Sequence, residues 1–280
     1  MGFPNTCIKT VKQFKRIFEQ PILYIMPWNP EVYNQFKDIR FQPFYDLMSL
    51  IHPAAGMKAV DLGCGTGEQT AILAKHFEDA SFLGIDSSEA MLAAGPHSAN
   101  DRLSFKQTAT EEWLQEAQSW DLVFSNAALQ WSDEHQKLFP EIIKKINPGG
   151  QIAVQMPYQP GNILNQLLAE LAATSPYREQ LQGWNRPSSV LTLDEYAAIL
   201  FEGGMENIQL FQKVYPIIAE DGDTLFRFIS GSALIPYLEK LDEEQGAIFQ
   251  AAFKEKIVLA FPKFPAIYAF KRLLIYGRRP

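Results

Sequence analysis

Short apolar runs alternate with helical patterns through the middle of the chain. Five runs have the length and composition of buried strands, and they lie at 57–63, 81–86, 103–108, 120–126 and 151–157. The segments between them repeat apolar residues at helical spacing, as in Ile142, Ile143 and Ile146. This rhythm predicts parallel β-α-β units with helices on both faces of one sheet. The tetrapeptide "NPGG" at 147–150 is predicted to end a helix and turn the chain into the fifth strand.

Two long strand patterns follow late in the chain, at 207–218 and 266–279. A helical excursion separates them, so they are predicted to form an antiparallel hairpin that closes the sheet. Helical patterns at about 160–190 and 222–262 depart from the β-α-β rhythm and are predicted to form a helical cap.

The N-terminal stretch differs from the rest of the chain. Residues 7–26 carry apolar residues at helical spacing among Lys9, Lys12, Lys15 and Arg16. The predicted organisation is therefore an amphipathic extension over 1–27, lying across the domain, and one α/β domain over 28–280 that contains both cap segments.

Composition excludes several classes of protein. The 280 residues are 47% hydrophobic and 20% charged, as in ordinary globular proteins, and 32 Asp+Glu against 25 Lys+Arg give a formal net charge of −7. No nucleic-acid partner is expected, because such proteins usually carry a basic surplus. Cys7 and Cys64 lack metal-ligand spacing, so no metal is expected and a reducing compartment is the default. No apolar run approaches the roughly 18 residues of a membrane span, and we expect a cytoplasmic protein.

A glycine-rich turn follows the first predicted strand. The spacing is Gly63-x-Gly65-x-Gly67, and the dinucleotide fingerprint would place its third glycine one position later, at Glu68. Glu68 and Asp61 would face a pyrophosphate with like charge, whereas a ligand with a sulfonium and an ammonium would attract both carboxylates. The turn therefore favours S-adenosylmethionine over a nicotinamide dinucleotide.

The next strands also end in residues suited to this ligand. Asp86 ends the second strand and can accept both ribose hydroxyls. The third strand runs into "TATEEW", where adenine is expected, and the fourth into "SNAALQW", where small residues leave room for the ligand. Each feature has a structural explanation when taken alone. Their occurrence at successive strand tips predicts a cofactor site, because ligands of open α/β sheets bind at those tips.

These segments resemble class I S-adenosylmethionine-dependent methyltransferases, and most closely the trans-aconitate methyltransferase family. The resemblance begins at "WNPEVYNQFKDIRFQPFYDL" (28–47) and continues through "VDLGCGTGEQTAILA", "GIDSSEAMLAAG", "DLVFSNAALQW" and "PGGQIAVQMP". It resumes at "GSALIPYLEKLDEE" (231–244) and "FKRLLIYGRR" (270–279). It implies a Rossmann-like sheet of seven mostly parallel strands with a reversed last strand, helices on both faces and a helical cap.

The resemblance also implies roles for individual residues. The methionine end of the cofactor would lie against Asp61, Gly63, Gly65, Gly67, Asn126, Ala127 and Ala128. The adenosine would lie against Asp86, Ser87, Met91, Ala109, Thr110 and Glu111, with Tyr33 and Arg40 closing over the cofactor. Gln130 and Trp131 would face the site of methyl transfer.

The chain departs from the family's pattern in two places. Ala109 stands where many relatives carry an acidic residue that accepts from the adenine amino group. Ile217, Phe228 and Ile235 align with positions where relatives tend to carry histidine, tryptophan and arginine. Because a buried carboxylate without partners is costly, we predict a small acid acceptor with fewer charges and more apolar surface than trans-aconitate.

Methyl transfer to a carboxylate needs no general base, because the acceptor is already deprotonated at neutral pH. No catalytic base is therefore predicted; for a phenol or alcohol acceptor, His135 would be the first candidate. Possible carboxylate partners are Arg40, Arg186, Arg227, Lys271 and Arg272, since cations of this kind pair with carboxylates.

Several alternatives stay open at this point. The acceptor could be a carrier-bound acid, or a nitrogen, carbon or phenol group. A protein that binds S-adenosylmethionine without turnover, or an NAD-dependent oxidoreductase, would share the cofactor loops. A monomer or a small homo-oligomer is expected.

Overall fold

Seven strands form one sheet in the computed structural model, which describes residues 37–95 and 100–280. The strands are β1 (Lys58–Leu62), β2 (Ser81–Asp86), β3 (Leu103–Gln107), β4 (Trp120–Asn126), β5 (Ile146–Pro157), β6 (Glu206–Ala219) and β7 (Ala266–Arg278). They lie in the order β3-β2-β1-β4-β5-β7-β6. The first five are parallel, and β7 is antiparallel to both β5 and β6. The predicted fold class, with its reversed last strand and closing hairpin, is confirmed.

Helices connect the strands and cover the sheet. They are α1 (Lys37–Met48), α2 (Glu68–His76), α3 (Glu89–Ala93), α4 (Thr110–Trp113), α5 (His135–Lys144), α6 (Ile163–Ala172), α7 (Tyr177–Gln180), α8 (Leu193–Glu202), α9 (Gly222–Ser230), α10 (Ile235–Leu238) and α11 (Glu243–Ala260). No helix was predicted at the position of α8. A reciprocal cap between Thr192 and Glu195 begins this helix, so the spacing Thr-x-x-Glu was the signal that could have revealed it.

Two hydrophobic clusters lie on the two faces of the sheet. Val60 and Val123 belong to one cluster, whereas their neighbours Ala59 and Leu122 belong to the other, because side chains alternate along a strand. A third cluster joins α6, α9 and α11 through residues such as Leu168, Leu225 and Phe253, and it includes Tyr268 of β7. The two segments predicted as a cap therefore share one core.

The start of β5 differs from the prediction. Ile146 already pairs with Trp120, and the regular pairing resumes at Gln151 with Leu122. The "NPGG" tetrapeptide is thus an irregularity inside a longer strand, rather than a turn before it. Gly149, at φ +80°, supplies a left-handed residue there and donates its N–H to the carbonyl of Arg279.

The strand order places a crevice between β1 and β4. The chain moves outward from β1 to β2 and β3 on one side, and through β4 to the remaining strands on the other. At such a reversal the loops after the strands diverge and leave room for a ligand. The predicted extension 1–27 and the adjoining residues to 36 lie outside the described residues.

Candidate active site

The glycine turn between β1 and α2 makes a close backbone approach. Gly63 has φ +71°, and a Cβ at this position would lie 2.2 Å from the Cβ of Ala128 after β4. Gly65 has φ +57°, and a Cβ there would lie 3.2 Å from Met91. Gly67 precedes α2 as its N-cap. The turn therefore presents bare backbone to the crevice, which side chains would fill.

Asp61 is a buried carboxyl at the floor of the crevice. Its Oδ2 accepts a hydrogen bond of 2.6 Å from the Thr70 hydroxyl. Its Oδ1 is buried and has no hydrogen-bond partner among residues 37–95 and 100–280. Burial raises the pKa of Asp61 to about 7; the Thr70 hydrogen bond opposes the shift and the charge of Asp86 adds to it. A cationic ligand at Oδ1 would satisfy the acceptor and favour its charged form.

Asp86 ties the tip of β2 to the glycine turn. Its Oδ2 accepts from the backbone N–H of Gly65 at 2.8 Å, and its Oδ1 accepts from that of Ser88 at 2.8 Å. Each carboxylate oxygen has a second lone pair, so the half-buried side chain can still accept from two hydroxyls.

Two amide side chains line the other wall, after β4. The Asn126 Nδ2 donates to Gln69 at 2.9 Å, and the Gln130 Nε2 donates to the carbonyl of Ala127 at 2.7 Å. The side-chain oxygens of Asn126 and Gln130 are buried and accept no hydrogen bond from any described residue. With Asp61, they give the crevice three buried acceptors that a donor-bearing ligand would satisfy.

These residues line one cavity of about 510 Å³. Its wall contains ten of the predicted site residues, namely Asp61, Gly63, Gly65, Asp86, Met91, Asn126, Ala127, Ala128, Gln130 and Trp131. Six other described residues of the predicted set do not line it, namely Gly67, Ser87, Ala109, Thr110, Glu111 and His135. Tyr33 and the side chain of Arg40 lie outside the described part of the chain.

The region predicted for adenine lies beside the cavity, at the tips of β2 and β3. The Ala109 N–H donates to Glu112 at 3.3 Å within the first turn of α4. Ser87 and Glu111 are exposed, and Thr110 is half-buried. These positions adjoin Asp86 because β2 and β3 pair in parallel up to Asp86 and Gln107.

His135 has a different environment from the one a base would need. It is fully buried, with Nδ1 at 2.6 Å from the Tyr196 hydroxyl and Nε2 at 2.8 Å from the carbonyl of Leu129. Burial lowers its pKa, and it does not line the cavity. The structure therefore does not support His135 as a base, because α5 turns the ring into the core, where both ring nitrogens are occupied.

The segments predicted as a cap form the far wall of the cavity together with β7 and the turn after β5. This wall is largely apolar, with Phe228, Ile229, Ile235, Pro236, Tyr268 and Phe270, and its polar members include Gln159, Asn165, Ser232 and Glu239. Phe228 and Ile235, at two of the three divergent positions, face the cavity, whereas Ile217 packs in the cap core.

Arg272 is the one of the four described candidate cations that lines the cavity, and the side chain of Arg40 lies outside the described residues. Arg272 is 5% exposed and holds its guanidinium carbon 4.7 Å from the centre of the Phe270 ring. Lys271 donates to the carbonyl of Gly161, Arg227 is exposed on α9, and Arg186 stacks on Trp131 outside the cavity. The sequence set Arg40 apart through the resemblance and left the other four equal, because strand register decides which strand residues face inward.

The residues of the crevice fit S-adenosylmethionine. Asp61 and Asp86 offer negative charge, and Gly63 leaves room for the ligand. The buried side-chain oxygens of Asp61, Asn126 and Gln130 could accept hydrogen bonds from its donors. Among the described residues, no group of His, Cys, Asp and Glu could hold a metal ion. No described helix is long and apolar enough to cross a membrane.

Comparisons with known proteins agree with this geometry. The family model described as "Methyltransferase domain" matches residues 53–222. The chain is 40% identical to the trans-aconitate 2-methyltransferase of Deinococcus radiodurans, over 91% of this chain and 99% of that protein.

Solved structures share the fold at low sequence identity. The YcgJ protein of Bacillus subtilis matches with a TM-score of 0.56 and 16% identity, over 85% of this chain and 98% of that chain. Phosphoethanolamine N-methyltransferase 2 of Haemonchus contortus, solved in complex with S-adenosyl-L-methionine, matches with a TM-score of 0.53 and 17% identity, over 86% of this chain and 53% of that chain.

Proposed function

We propose an acceptor for this enzyme on one premise: the chain belongs to the methyltransferase domain family and is an S-adenosylmethionine-dependent methyltransferase. The acceptor we propose is a small carboxylic acid, methylated on a carboxylate oxygen. The observation that carries this proposal is Arg272, a buried cation in the apolar wall of the cavity.

The cofactor-binding roles proposed for the chain follow the crevice. Asp61 accepts from the ammonium of the cofactor, Gly63 and Gly65 pass beneath its methionine part, and Asp86 accepts from its ribose. Ser87, Met91, Ala109, Thr110 and Glu111 surround the adenosine, while Asn126, Ala127 and Ala128 flank the methionine part. Gly67, Tyr33 and Arg40 complete the proposed set. S-adenosylmethionine supplies a methyl group activated by its sulfonium.

Arg272 suits an acid for an energetic reason. The Arg272 guanidinium would attract a ligand that brings a negative charge, and the largely apolar wall would screen this attraction only weakly. Its planar fork can donate two parallel hydrogen bonds to one carboxylate. Arg272 is the only Lys, Arg or His among the described residues that line the cavity, which favours an acid with few carboxylates.

The apolar wall sets the rest of the acceptor's chemistry. Phe228, Ile235 and Phe270 offer surface that a hydrocarbon part of the acid would bury. The Deinococcus relative is named for trans-aconitate, which carries three carboxylates. We propose that this chain prefers a smaller number of carboxylates and a larger apolar part.

The proposed chemistry needs positioning rather than proton removal. A carboxylate acceptor is deprotonated at neutral pH, so the residues near the transfer site need only orient it in line with the methyl group and exclude water. Gln130 and Trp131 line the cavity, which supports this role for them.

The experiment uses S-adenosylmethionine with a labelled methyl group and a panel of mono-, di- and tricarboxylic acids, trans-aconitate included. Products are extracted and treated with mild base, which releases labelled methanol from methyl esters. Base-labile label on one acid supports the proposal. Base-stable label would indicate a nitrogen, carbon or phenol acceptor instead, and transfer only to an acid on a carrier protein would indicate the carrier-bound alternative.

Two outcomes would contradict parts of the proposal. Turnover of trans-aconitate matching that of the best other acid would contradict the preference for fewer charges. Cofactor binding without transfer to any acid would contradict the carboxylate acceptor itself.

We also propose one domain over 28–280 whose two helical insertions form the cap, and a monomer or small homo-oligomer that binds no nucleic acid. The shared core of α6, α9 and α11 supports the proposed cap.

A further inference from the structure

The segment "WNRPSS" at 184–189, here called the strap, connects the walls of the cavity without lining it. It follows α7 and precedes α8. Its side chains and backbone reach the loop after β4, the turn after β5, and the cap helices α6 and α10. A segment with this set of contacts can fix the walls relative to one another.

Arg186 holds the strap to Trp131. Its guanidinium carbon lies 4.5 Å from the centre of the Trp131 ring, and its Nη2 donates to the carbonyl of Trp131 at 3.3 Å. Stacking of a cation on an indole is worth about 0.5 to 2 kcal/mol, depending on how far it is desolvated. Trp131 is 40% exposed and lines the cavity, so this contact restrains a ring that is only partly buried.

The same residue is anchored to the cap through its backbone. The Arg186 N–H donates to the Tyr237 hydroxyl at 3.4 Å, and that hydroxyl donates to Asn185 at 2.7 Å. Asn185 in turn donates to the carbonyl of Ala169 on α6 at 2.8 Å. Pro187 restricts the backbone of Arg186 to extended conformations, which further limits movement of its side chain.

A third contact reaches the turn after β5. The Ser188 hydroxyl donates to Gln159 at 3.1 Å, and Gln159 lines the cavity. The strap therefore contacts Trp131, Gln159 and Tyr237, each of which lies in or beside a different wall. Tyr237 is on α10, between the cavity residues Pro236 and Glu239.

We propose that Arg186 is a positioning residue for methyl transfer. By stacking on Trp131 and binding Tyr237, it fixes the distance between the β4 wall, beside the cofactor, and the α10 wall, beside the acceptor. It acts through Trp131, since it does not line the cavity. In-line transfer is sensitive to displacements of about 1 Å, so loosening this contact should reduce turnover more than cofactor affinity.

The experiment compares Arg186→Gln and Arg186→Lys with a matched control, Arg178→Gln. Arg178 is an exposed arginine on α7 whose guanidinium pairs only weakly with Glu179, at 3.3 Å. For each variant, kcat/KM is measured with labelled S-adenosylmethionine and the fastest acid of the panel, and the Kd for S-adenosylhomocysteine is measured by calorimetry. We expect Arg186→Gln to lower kcat/KM about tenfold with the Kd changed less than twofold, Arg186→Lys to recover part of the loss, and the control to match wild type.

A double-mutant cycle tests whether Arg186 acts through Trp131. Substituting Arg186→Gln in a Trp131→Leu background should have little further effect on kcat/KM. An undiminished effect in that background, or wild-type kcat/KM in Arg186→Gln alone, would overturn the proposal.

A second measurement needs no acceptor, so it separates this proposal from the proposed function. The fluorescence of Trp131 is isolated by subtracting the spectrum of the matching Trp131→Leu variant, with S-adenosylhomocysteine bound. Arg186→Gln should shift this emission to longer wavelength and increase its quenching by acrylamide, whereas Arg178→Gln should leave it unchanged. An unchanged Trp131 signal in Arg186→Gln would overturn the proposal even if every acid in the panel failed as an acceptor.

Discussion

The backbone N–H of Gly65 donates to the Oδ2 of Asp86 at 2.8 Å, so this hydrogen bond joins the glycine turn to the tip of β2. Asp86 thereby shapes the turn as well as offering acceptors to a ligand. An Asp86→Asn variant would keep one acceptor but turn an amide NH₂ towards the N–H of Gly65 or Ser88.

We therefore expect Asp86→Asn to weaken S-adenosylmethionine binding at least tenfold, about the cost of one lost charged hydrogen bond. Calorimetry measures the Kd, and Asp101→Asn, an exposed carboxylate before β3, serves as the control. Equal affinities for Asp86→Asn and wild type would show that the turn is held by other contacts.

Gly63→Ala should abolish cofactor binding through a steric effect. The new Cβ would lie 2.2 Å from that of Ala128 in a residue at φ +71°. Gly56→Ala is a matched control, because Gly56 has φ +69° and nothing within 4 Å of an added Cβ. In both variants the left-handed conformation should lower the free energy of unfolding by about 1 to 2 kcal/mol, which urea unfolding measures. Only Gly63→Ala should also lose affinity; similar Kd values for the two would contradict the close approach.

Cofactor affinity should depend on the charge of Asp61. Burial raises the pKa of Asp61 to about 7, and only its charged form attracts the ammonium of the cofactor. As the pH falls below about 7, the fraction of charged Asp61 falls, so the affinity should drop up to tenfold per pH unit. Calorimetry from pH 5.5 to 8 should give a sloping profile for wild type and a weak, flat one for Asp61→Asn. A sloping profile in Asp61→Asn would assign the titration to another group.

Arg272→Gln should raise the KM for the acid about tenfold or more and leave the Kd for S-adenosylmethionine unchanged, because the guanidinium lies in the wall that we propose for the acceptor. Arg272→Lys should be intermediate, since an ammonium cannot pair with both carboxylate oxygens at once. Arg278→Gln, an exposed arginine at the far end of the same strand, is the control. A KM that is unaffected by Arg272→Gln would remove the main support for an acid acceptor.

His135→Gln should lower the stability of the fold. The pH dependence of kcat should keep its wild-type shape, because His135 is not expected to act as a base. The buried ring loses two hydrogen bonds, which should lower the free energy of unfolding by about 1 to 3 kcal/mol. Burial lowers the pKa of His135 below the ordinary histidine value of 6.5. As the pH falls below 6.5, the unfolded chain therefore binds a proton at His135 more readily than the folded chain does, and the wild-type protein loses stability. The variant should lack this loss, as measured by urea unfolding between pH 5 and 7.5. A selective fall in kcat would restore His135 as a base.

The sequence predicted the cofactor half of the site better than the acceptor half. Asp61, Gly63 and Asp86 lie at the ends of parallel strands, and β-α-β topology alone brings those ends to one edge. Arg272 and His135 required more than this. The register of β7 and the alternation of side chains along it decide that Arg272 faces the cavity. The rotation of α5 about its axis decides where His135 points. His135 is close to Trp131 in sequence, but this closeness does not bring its side chain to the cavity.

The reversal of β7 has a consequence for how substrate choice can change. Arg272 faces the cavity because β7 is held between Pro157 of β5 and Lys213 of β6. A slip of one residue along this ladder would turn the guanidinium to the opposite face and present Lys271 or Leu273 in its place. The proposed recognition of charge would thus depend on the register of β7 as well as on the identity of residue 272. A single residue inserted in β7 could abolish this recognition, although every residue that lines the cavity would still be present in the sequence.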